Sequence, residues 1–304
     1  MLMQKCFFVS TLIKNTYIRL NFLKIMLNSF LLNSEELNLL RYKSTSIKRR
    51  FLRMYKNANA GHVGSSLSIA EIITFVRFGW MSESDEIIVS KGHAAAALYS
   101  MLAEDGTLTE DDIDTFYKNG TYLAAHPPVN KIKKIPFATG SLGHGLSLAV
   151  GLGLAQKIKK TSKKIFCITS DGEINEGSTW EAAMFMRHHS LNNVIWLIDR
   201  NKLQGFGRTE EVLSLEPLAD KLTAFGFNLL EADGHDFKSL HNAKIAALSS
   251  NLLSAIICHT TKGNGWKDLE DTIDCHYLPL NEIQYSNLLN EIEKPYFSNN
   301  NKHS

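Results

Sequence analysis

Two oxygen-bearing side chains each follow an apolar run in this 304-residue sequence. Asp171 comes directly after the run 164–169, and Asn201 lies just beyond the run 194–198. Apolar residues at helical spacing fill 177–189 between them, so the pattern predicts a β-α-β unit. The strands of such a unit are parallel, and their carboxyl ends meet at the ligand-binding edge of the sheet. We therefore expect the two side chains to converge.

A magnesium ion suits this pair of oxygens. Mg²⁺ prefers oxygen ligands in octahedral geometry and often completes its shell with substrate phosphates. Gly172 has no side chain, so its backbone N–H can approach a phosphate oxygen, and the N-terminus of the next helix adds positive partial charge. The alternative is an ordinary crossover in which Asp171 caps its helix and Asn201 lies in a turn, since both residue types favour such places.

Composition and charge indicate an ordinary globular protein. The sequence is 44% hydrophobic and 21% charged, and its 33 basic and 31 acidic residues leave a net charge of +2. This balance gives no indication of a nucleic-acid or membrane partner. The four cysteines form no C-x-x-C pair, and Cys167 and Cys258 lie in apolar runs. We therefore expect a reducing, cytoplasmic setting.

The first 33 residues differ from the rest of the chain. They contain no acidic residue, and basic residues are scattered among apolar ones. A targeting presequence is similarly acid-poor but should be richer in arginine, and the apolar runs are shorter than the roughly 18 residues of a membrane span. We expect an extension outside the fold, with Met26 as the true start. A membrane-surface helix is the alternative.

From Ser34 the pattern is that of an α/β protein. Ser34 starts a helix, and Ser68 is expected to start another by N-cap logic. Strands and helices alternate over 45–280 without a repeat or linker, which predicts one doubly wound, mostly parallel sheet flanked by helices. We expect the domain to span 34–280, with a short helix and a disordered polar tail in 281–304.

Several segments resemble the motifs of the transketolase family, which depends on thiamine diphosphate. DGEINEG and WEAAMF, followed by Asn-Lys-Leu-Gln after a strand, resemble the cofactor's metal motif. ANAGHVGSSLSIAEI and SKGHAAAALY resemble two further motifs, and the resemblance covers 45–280. It implies the thiamine-diphosphate-binding fold and a metal held by the side chains of Asp171 and Asn201 and the main-chain oxygen of Leu203. The metal would be Mg²⁺, with Ca²⁺ or Mn²⁺ as substitutes.

The resemblance also assigns residues to the cofactor. His93 matches a histidine that contacts the diphosphate, and the loop that begins at Thr139 matches one under the thiazolium ring. The residues assigned to cofactor binding are His93, Thr139, Gly140, Ser141, Leu142, Gly143, Asp171, Gly172, Glu173 and Asn201. Ser170 replaces a glycine of the metal motif, and His144 stands where glutamine is usual.

Five residues match catalytic positions of the family. His62, His126 and His276 match histidines that handle the protons of substrate hydroxyl groups. Glu176 and Glu181 match a carboxylate cluster at the subunit interface, near the glutamate that activates the cofactor. Acidic residues are also favoured in the first turn of any helix, so a purely local role stays open for Glu181.

A whole transketolase also has a pyrimidine-binding domain, which carries the activating glutamate, and a third domain. Neither fits in the 24 residues after Leu280. The resemblance therefore implies the N-terminal subunit of a split transketolase, in a heterotetramer with a C-terminal subunit. Such an enzyme transfers a two-carbon ketol unit from a ketose or ketose phosphate to an aldose or aldose phosphate.

Two alternatives to this function follow from the same residues. The alpha subunit of a 2-oxo-acid dehydrogenase also carries an Asp-Gly…Asn metal motif and needs a partner, but it lacks SKGHAA and GHVGSS. A non-catalytic scaffold or regulatory subunit could keep the fold without turnover. The retained Asp171, Asn201, His62 and His93 argue against the scaffold.

Overall fold

The computed structural model describes residues 31–129 and 131–300. Most of the expected N-terminal extension, residues 1–30, and the last four residues lie outside this range. Helices and strands alternate along the described chain. In order, the elements are α1 Ser34–Ala58, α2 Val63–Phe75, β1 Glu86–Val89, α3 Ala95–Glu104, α4 Glu110–Ile113, α5 His144–Ile158, β2 Ile165–Ser170, α6 Gly177–His188, β3 Val194–Arg200, β4 Leu203–Gln204, β5 Gly207–Arg208, α7 Thr209–Val212, α8 Leu218–Ala224, β6 Asn228–Asp233, α9 Phe237–Leu248, β7 Ser254–His259, α10 Asp274–Tyr277 and α11 Glu282–Asn300.

Five parallel strands form the central sheet in the order β1-β2-β3-β7-β6. Strands β2 and β3 are buried along their whole length, as expected for strands that are covered on both faces. Phe166 and Leu197 belong to the core beneath α1, α2 and α3, whereas Cys167 and Trp196 belong to the core beneath α5, α6 and α8. The predicted doubly wound, mostly parallel sheet is confirmed.

The β-α-β unit predicted around Asp171 is present. Strands β2 and β3 pair in parallel from Ile165 opposite Val194 to Ser170 opposite Asp199, and α6 connects them. Because the two strands end side by side, Asp171 and Asn201 emerge at the same edge of the sheet. Strand β7 pairs with β3 and brings its own carboxyl end, followed by Thr260, to that edge.

The predicted start of a helix at Ser68 is wrong. Helix α2 begins at Val63, and its N-cap His62 has φ 73° and makes no side-chain capping bond. Ser68 is a buried interior residue whose hydroxyl donates to Asp199 at 2.7 Å. A tertiary hydrogen bond therefore uses the hydroxyl that local capping logic assigned to a helix end.

The C-terminal helix α11 is longer than the short helix expected and includes part of the predicted tail. Asn281 and Gln284 exchange hydrogen bonds at its start. Leu288 is buried, and Tyr285 and Ile292 pack against the same core at helical spacing. This apolar stripe and two ion pairs to α1 hold the helix on the domain.

Two glycines of helix α5 give a matched test of its packing. A methyl group built on Gly153 would overlap the side chain of Val194, whereas one on Gly151 would meet open space. We expect Gly153→Ala to lower the free energy of unfolding by about 1–3 kcal/mol because of overpacking. Gly151→Ala should raise it by about 0.5–1 kcal/mol through helix propensity. Urea unfolding of both variants checks the prediction, and equal effects would contradict it.

Within residues 31–129 and 131–300, none of the helices combines the length and the apolar character that crossing a bilayer requires.

Candidate active site

The predicted metal ligands lie together at the carboxyl edge of the sheet. Asp171 is 1% exposed, and its Oδ2 accepts the backbone N–H of Lys202 at 2.6 Å. Asn201 and Leu203 are adjacent to this contact, and the N–H of Leu203 donates to Oδ1 of Asn201 at 3.1 Å. The two strand ends and the residues that follow β3 thus form one hydrogen-bonded unit, as the parallel pairing predicted.

A buried arginine, which sequence reasoning missed, is paired with Asp171. The guanidinium of Arg200 donates to Asp171 at 2.9 Å and also bonds Glu210 and Glu216. Burial raises the pKa of Asp171, Asp199 raises it further, and Arg200 opposes both effects. The arginine therefore favours the ionised carboxylate that a metal ligand must be.

Four histidines face one another beside these ligands. The ring of His62 lies 4.9 Å from that of His276, 5.6 Å from that of His93 and 6.3 Å from that of His126, measured between ring centroids. The backbone N–H of His62 donates to the carbonyl of His276 at 2.8 Å. The sequence places these residues far apart, and the fold collects all four predicted histidines into one cluster.

The histidine cluster is neutral at physiological pH. Burial lowers the pKa of His62 to about 4, and burial followed by Lys262 lowers the pKa of His276 to about 3. Burial also lowers the pKa of His93 well below its ordinary value and that of His126 by less. Each ring can therefore donate one hydrogen bond and accept another.

Two buried lysines, also outside the predicted set, make the site electropositive. Lys91 is fully buried, and its ammonium pairs with Asp199 at 2.5 Å. Lys262 donates to the carbonyl oxygen of Leu203 at 2.9 Å, and burial lowers its pKa to about 8. Both lysines lie inside motif segments, SKGH and TTKG, so a charged residue in an otherwise apolar or glycine-rich segment was the available signal.

The loop from Thr139 to Gly143 lies against the end of strand β1. The hydroxyl of Thr139 donates to the carbonyl of Val89 at 2.8 Å. Gly140 and Gly143 have φ values of 139° and 85°, which side-chain-bearing residues rarely adopt. A methyl group on Gly140 would overlap the ring of His126. The glycines thus let the loop pass close beneath the histidine cluster, with Ser141 exposed and Leu142 half-buried.

Glu173 ties three loops together in the structure. Its carboxylate is 0% exposed, accepts the N–H of Gly143 at 2.8 Å and bonds the hydroxyl of Ser90. Burial raises the pKa of this carboxylate. Its contacts hold the loops that carry Gly143 and His93, so any effect of Glu173 on the cofactor would act through those loops.

The structure does not bring Glu176 and Glu181 into the histidine cluster. Glu176 is the exposed N-cap of α6, next to Gly143, and Glu181 is exposed one turn into the helix. The neighbouring Met184 and Phe185 are 54% and 41% exposed. The interface role predicted for the glutamates stays a prediction, and their exposed helix face is free to meet another chain.

The donor set fits a magnesium ion. Asp171, Asn201 and the carbonyl of Leu203 offer only oxygen, which Mg²⁺ prefers, and a cationic ammonium already lies on that carbonyl. In the part of the chain that the structure describes, no group of three or more His, Cys, Asp and Glu residues could hold a metal. The predicted set has one carboxylate, so it differs in kind from such a group.

The surroundings also fit a diphosphate. Lys91 and Lys262 supply positive charge, and the neutral ring of His93 can donate a hydrogen bond. Gly172 lies at the start of the turn Gly172–Asn175, where its N–H bonds the carboxylate of its neighbour Asp171. Nδ1 of His276 is buried without a hydrogen-bond partner among the described residues. Buried polar atoms of this kind require a partner, which a bound ligand can provide.

The depressed histidine pKa values predict acid sensitivity between pH 6.5 and about 4. Above pH 6.5 folded and unfolded chains are both neutral at these groups, and the stability is fully present. Below it the unfolded chain takes up protons that the folded one excludes, so stability falls. His276→Asn should flatten this loss by roughly 1–2 kcal/mol after solvent screening is allowed for. Melting temperatures from pH 7.5 to 5 check this.

His188→Asn, at an exposed position on α6, is the control for the histidine variant and should keep the wild-type slope. Asp171 and Glu173, whose pKa values burial raises, act in the opposite direction in acid. An unchanged slope for His276→Asn would contradict the prediction.

Comparison with known proteins places the chain in a family. Residues 44–292 match the sequence profile described as the transketolase thiamine diphosphate binding domain. One of the two named subunits of apulose-4-phosphate transketolase from Phocaeicola vulgatus is 35% identical over 277 residues, which are 86% of this chain and 98% of the relative. The 6-deoxy-6-sulfo-D-fructose transketolase subunit SqwG of a Clostridium species is 36% identical over 84% of this chain and 96% of its own length.

Solved structures agree with the sequence comparison. The crystal structure of transketolase from Campylobacter jejuni superimposes with a TM-score of 0.79 and 28% identity, over 84% of this chain and 43% of the transketolase. The chain thus spans less than half of the solved transketolase but nearly all of the two separate subunits. It belongs to the family of transketolase thiamine-diphosphate-binding domains.

Proposed function

We propose that the chain is the diphosphate-binding subunit of a two-chain transketolase. It would bind thiamine diphosphate through Mg²⁺ and transfer a two-carbon ketol unit from a ketose or ketose phosphate to an aldose or aldose phosphate. The observation that carries the proposal is a convergence at one edge of the sheet. The oxygen donors Asp171, Asn201 and Leu203 lie there beside two buried lysines and the four-histidine cluster.

Each part of the cofactor has residues suited to it. The metal would be held by Asp171, Asn201 and the Leu203 carbonyl, and the diphosphate by His93 and the N–H of Gly172. The loop 139–143 would lie under the thiazolium ring. When bound, thiamine diphosphate supplies the electron sink for cleavage of the bond beside a ketose carbonyl. The protein supplies position, charge and proton transfer.

His62, His126 and His276 would exchange protons with substrate hydroxyl groups. Their neutral rings can accept a proton, but low pKa values make them weak bases. A bound diphosphate places negative charge beside them, and opposite charge raises the pKa of an imidazole. Cofactor binding would therefore bring these histidines closer to the pH at which proton transfer is efficient.

A partner subunit would complete the site. The chain covers nearly the whole of two relatives named as subunits, which supports a separate second polypeptide. Glu176 and Glu181, with the exposed Met184 and Phe185 beside them, offer that partner a face of mixed acidic and apolar character. We propose that it supplies the pyrimidine-binding domain and the activating glutamate, in a heterotetramer.

The substrate class and setting follow from weaker observations. The names of both relatives contain a sugar or sugar phosphate, which supports substrates of that kind. Cys167, Cys258 and Cys275 are buried free thiols, which suits a reducing, cytoplasmic setting.

An activity assay tests the proposal. The full chain is purified with the subunit encoded by the neighbouring reading frame and supplied with ketose phosphates, aldose acceptors, thiamine diphosphate and Mg²⁺. We expect two-carbon transfer only when both chains and both cofactors are present. Turnover of 2-oxo acids without ketoses would favour the 2-oxo-acid dehydrogenase alternative. Association with the partner but no turnover of either class would favour the scaffold.

A further inference from the structure

Asp199 lies at the centre of the site although no motif assigned it a role. It lies at the end of strand β3 next to Arg200 and is 0% exposed. Its carboxylate accepts hydrogen bonds from four side chains that come from several segments of the chain. The donors are the hydroxyl of Ser68, the ammonium of Lys91, the amide of Asn201 and the hydroxyl of Thr260.

The bond to Asn201 fixes the orientation of that side chain. An ionised carboxylate can only accept hydrogen bonds, so the amide must present its NH₂ group to Asp199. It does so at 2.9 Å. The oxygen of the amide therefore points away, where it accepts the N–H of Leu203 at 3.1 Å. An amide oxygen has two lone pairs, so one remains for a cation.

The remaining contacts hold the carboxylate itself in place. Ser68 at 2.7 Å and Lys91 at 2.5 Å share Oδ2 with Asn201, while Thr260 bonds Oδ1. Both oxygens are thereby committed, and the side chain cannot rotate without breaking bonds to more than one segment. The charge of Asp199 also balances Lys91, whose ammonium is otherwise surrounded by buried groups.

We infer that Asp199 is a positioning residue that turns the oxygen of Asn201 toward the metal and holds Lys91 in the site. This inference rests on the proposed function, because it assigns Asp199 a role toward the proposed Mg²⁺ ligand. Groups that orient metal ligands through hydrogen bonds are worth about 10- to 100-fold in metal affinity. Asp199 acts through Asn201 and does not touch the metal.

The test is a Mg²⁺ titration of the full chain with its partner subunit, at a fixed saturating concentration of thiamine diphosphate, followed by calorimetry. Asp199→Asn can present either end of its own amide, so Asn201 loses its fixed orientation. We expect the variant to bind Mg²⁺ about 10- to 100-fold more weakly than the wild type. Asp220→Asn, an exposed change of the same charge on α8, should match the wild type.

A swap variant separates orientation from structural support. In Asp199→Asn/Asn201→Asp the residue at 201 offers an oxygen in either orientation, so most of the Mg²⁺ affinity should return. A purely structural role predicts a persistent defect, because the carboxylate has left Ser68, Lys91 and Thr260. Failure of the swap to recover affinity would overturn the orientation role.

Folding is checked by far-ultraviolet circular dichroism. If Asp199→Asn does not fold, Thr260→Val decides, since it removes the bond to Oδ1 and keeps the shape of the side chain. Weaker Mg²⁺ binding supports the inference, and wild-type binding overturns it. Wild-type affinity in a folded Asp199→Asn overturns the inference alone, whereas a wild-type complex without Mg²⁺-dependent binding overturns the proposed function as well.

Discussion

Replacing Asp171 with alanine should abolish metal-dependent binding of thiamine diphosphate. The carboxylate is the only charged member of the proposed ligand set, and it lies buried at the end of β2. A single charge pair at about 4 Å is worth roughly 4 kcal/mol at intermediate dielectric. That corresponds to about a 10³-fold loss of affinity, and a divalent ion makes the pair stronger. Calorimetry of the variant with its partner subunit measures the loss.

The fold should tolerate the loss of Asp171 better than the site does. Arg200 keeps its ion pairs with Glu210 and Glu216, so its guanidinium is not left unpaired. Asp171→Asn keeps the shape and one oxygen and should bind more weakly than the wild type but better than alanine. Asp220→Ala is the exposed control. Cofactor affinity close to wild type in a folded Asp171→Ala would refute the metal assignment.

Replacing His126 with alanine should lower turnover and leave cofactor binding nearly unchanged. Its ring is exposed above Gly140 and lies 6.3 Å from the ring of His62. Among the described residues, the ring makes no hydrogen bond to the proposed metal or diphosphate ligands. Loss of one proton-transfer group typically costs about 10²- to 10⁴-fold in rate. Steady-state kinetics with a ketose phosphate donor give kcat, and calorimetry gives the Kd for thiamine diphosphate.

His188→Ala, on the exposed end of α6, is the matched control for His126→Ala and should be neutral in both measurements. The Asp171 and His126 variants therefore have opposite signatures, since Asp171→Ala loses binding and His126→Ala loses rate. An unchanged kcat for His126→Ala would remove it from the proton-transfer group. A large loss of cofactor affinity would instead make it a binding residue.

The convergence of Asp171 and Asn201 could be predicted because it depends on local pattern and one general rule. Apolar strands flanking a helix-spaced segment define a β-α-β unit, and parallel strands end at the same edge. The family motifs then drew attention to the histidines. Their contacts required the fold, since His62 and His276 come from opposite ends of the domain.

The hydrogen-bond network around Asp199 could not be predicted in the same way. Ser68 and Asp199 are 131 positions apart, and nothing in the local sequence distinguishes a serine that caps a helix from one that bonds a distant carboxylate. Helix α2 starts at a left-handed His62 without a capping side chain, so the usual start signal is absent. Glu173 shows the converse, because a motif position assigned to the cofactor makes its contacts with Ser90 and Gly143.

The central claim is that this chain and a partner form one thiamine-diphosphate site that depends on a metal. The most direct measurement is calorimetric binding of thiamine diphosphate to the chain alone, to the partner alone and to their mixture, each with and without Mg²⁺. We expect tight binding only in the mixture and only with Mg²⁺. An associated mixture that binds no thiamine diphosphate with Mg²⁺ present would contradict the claim.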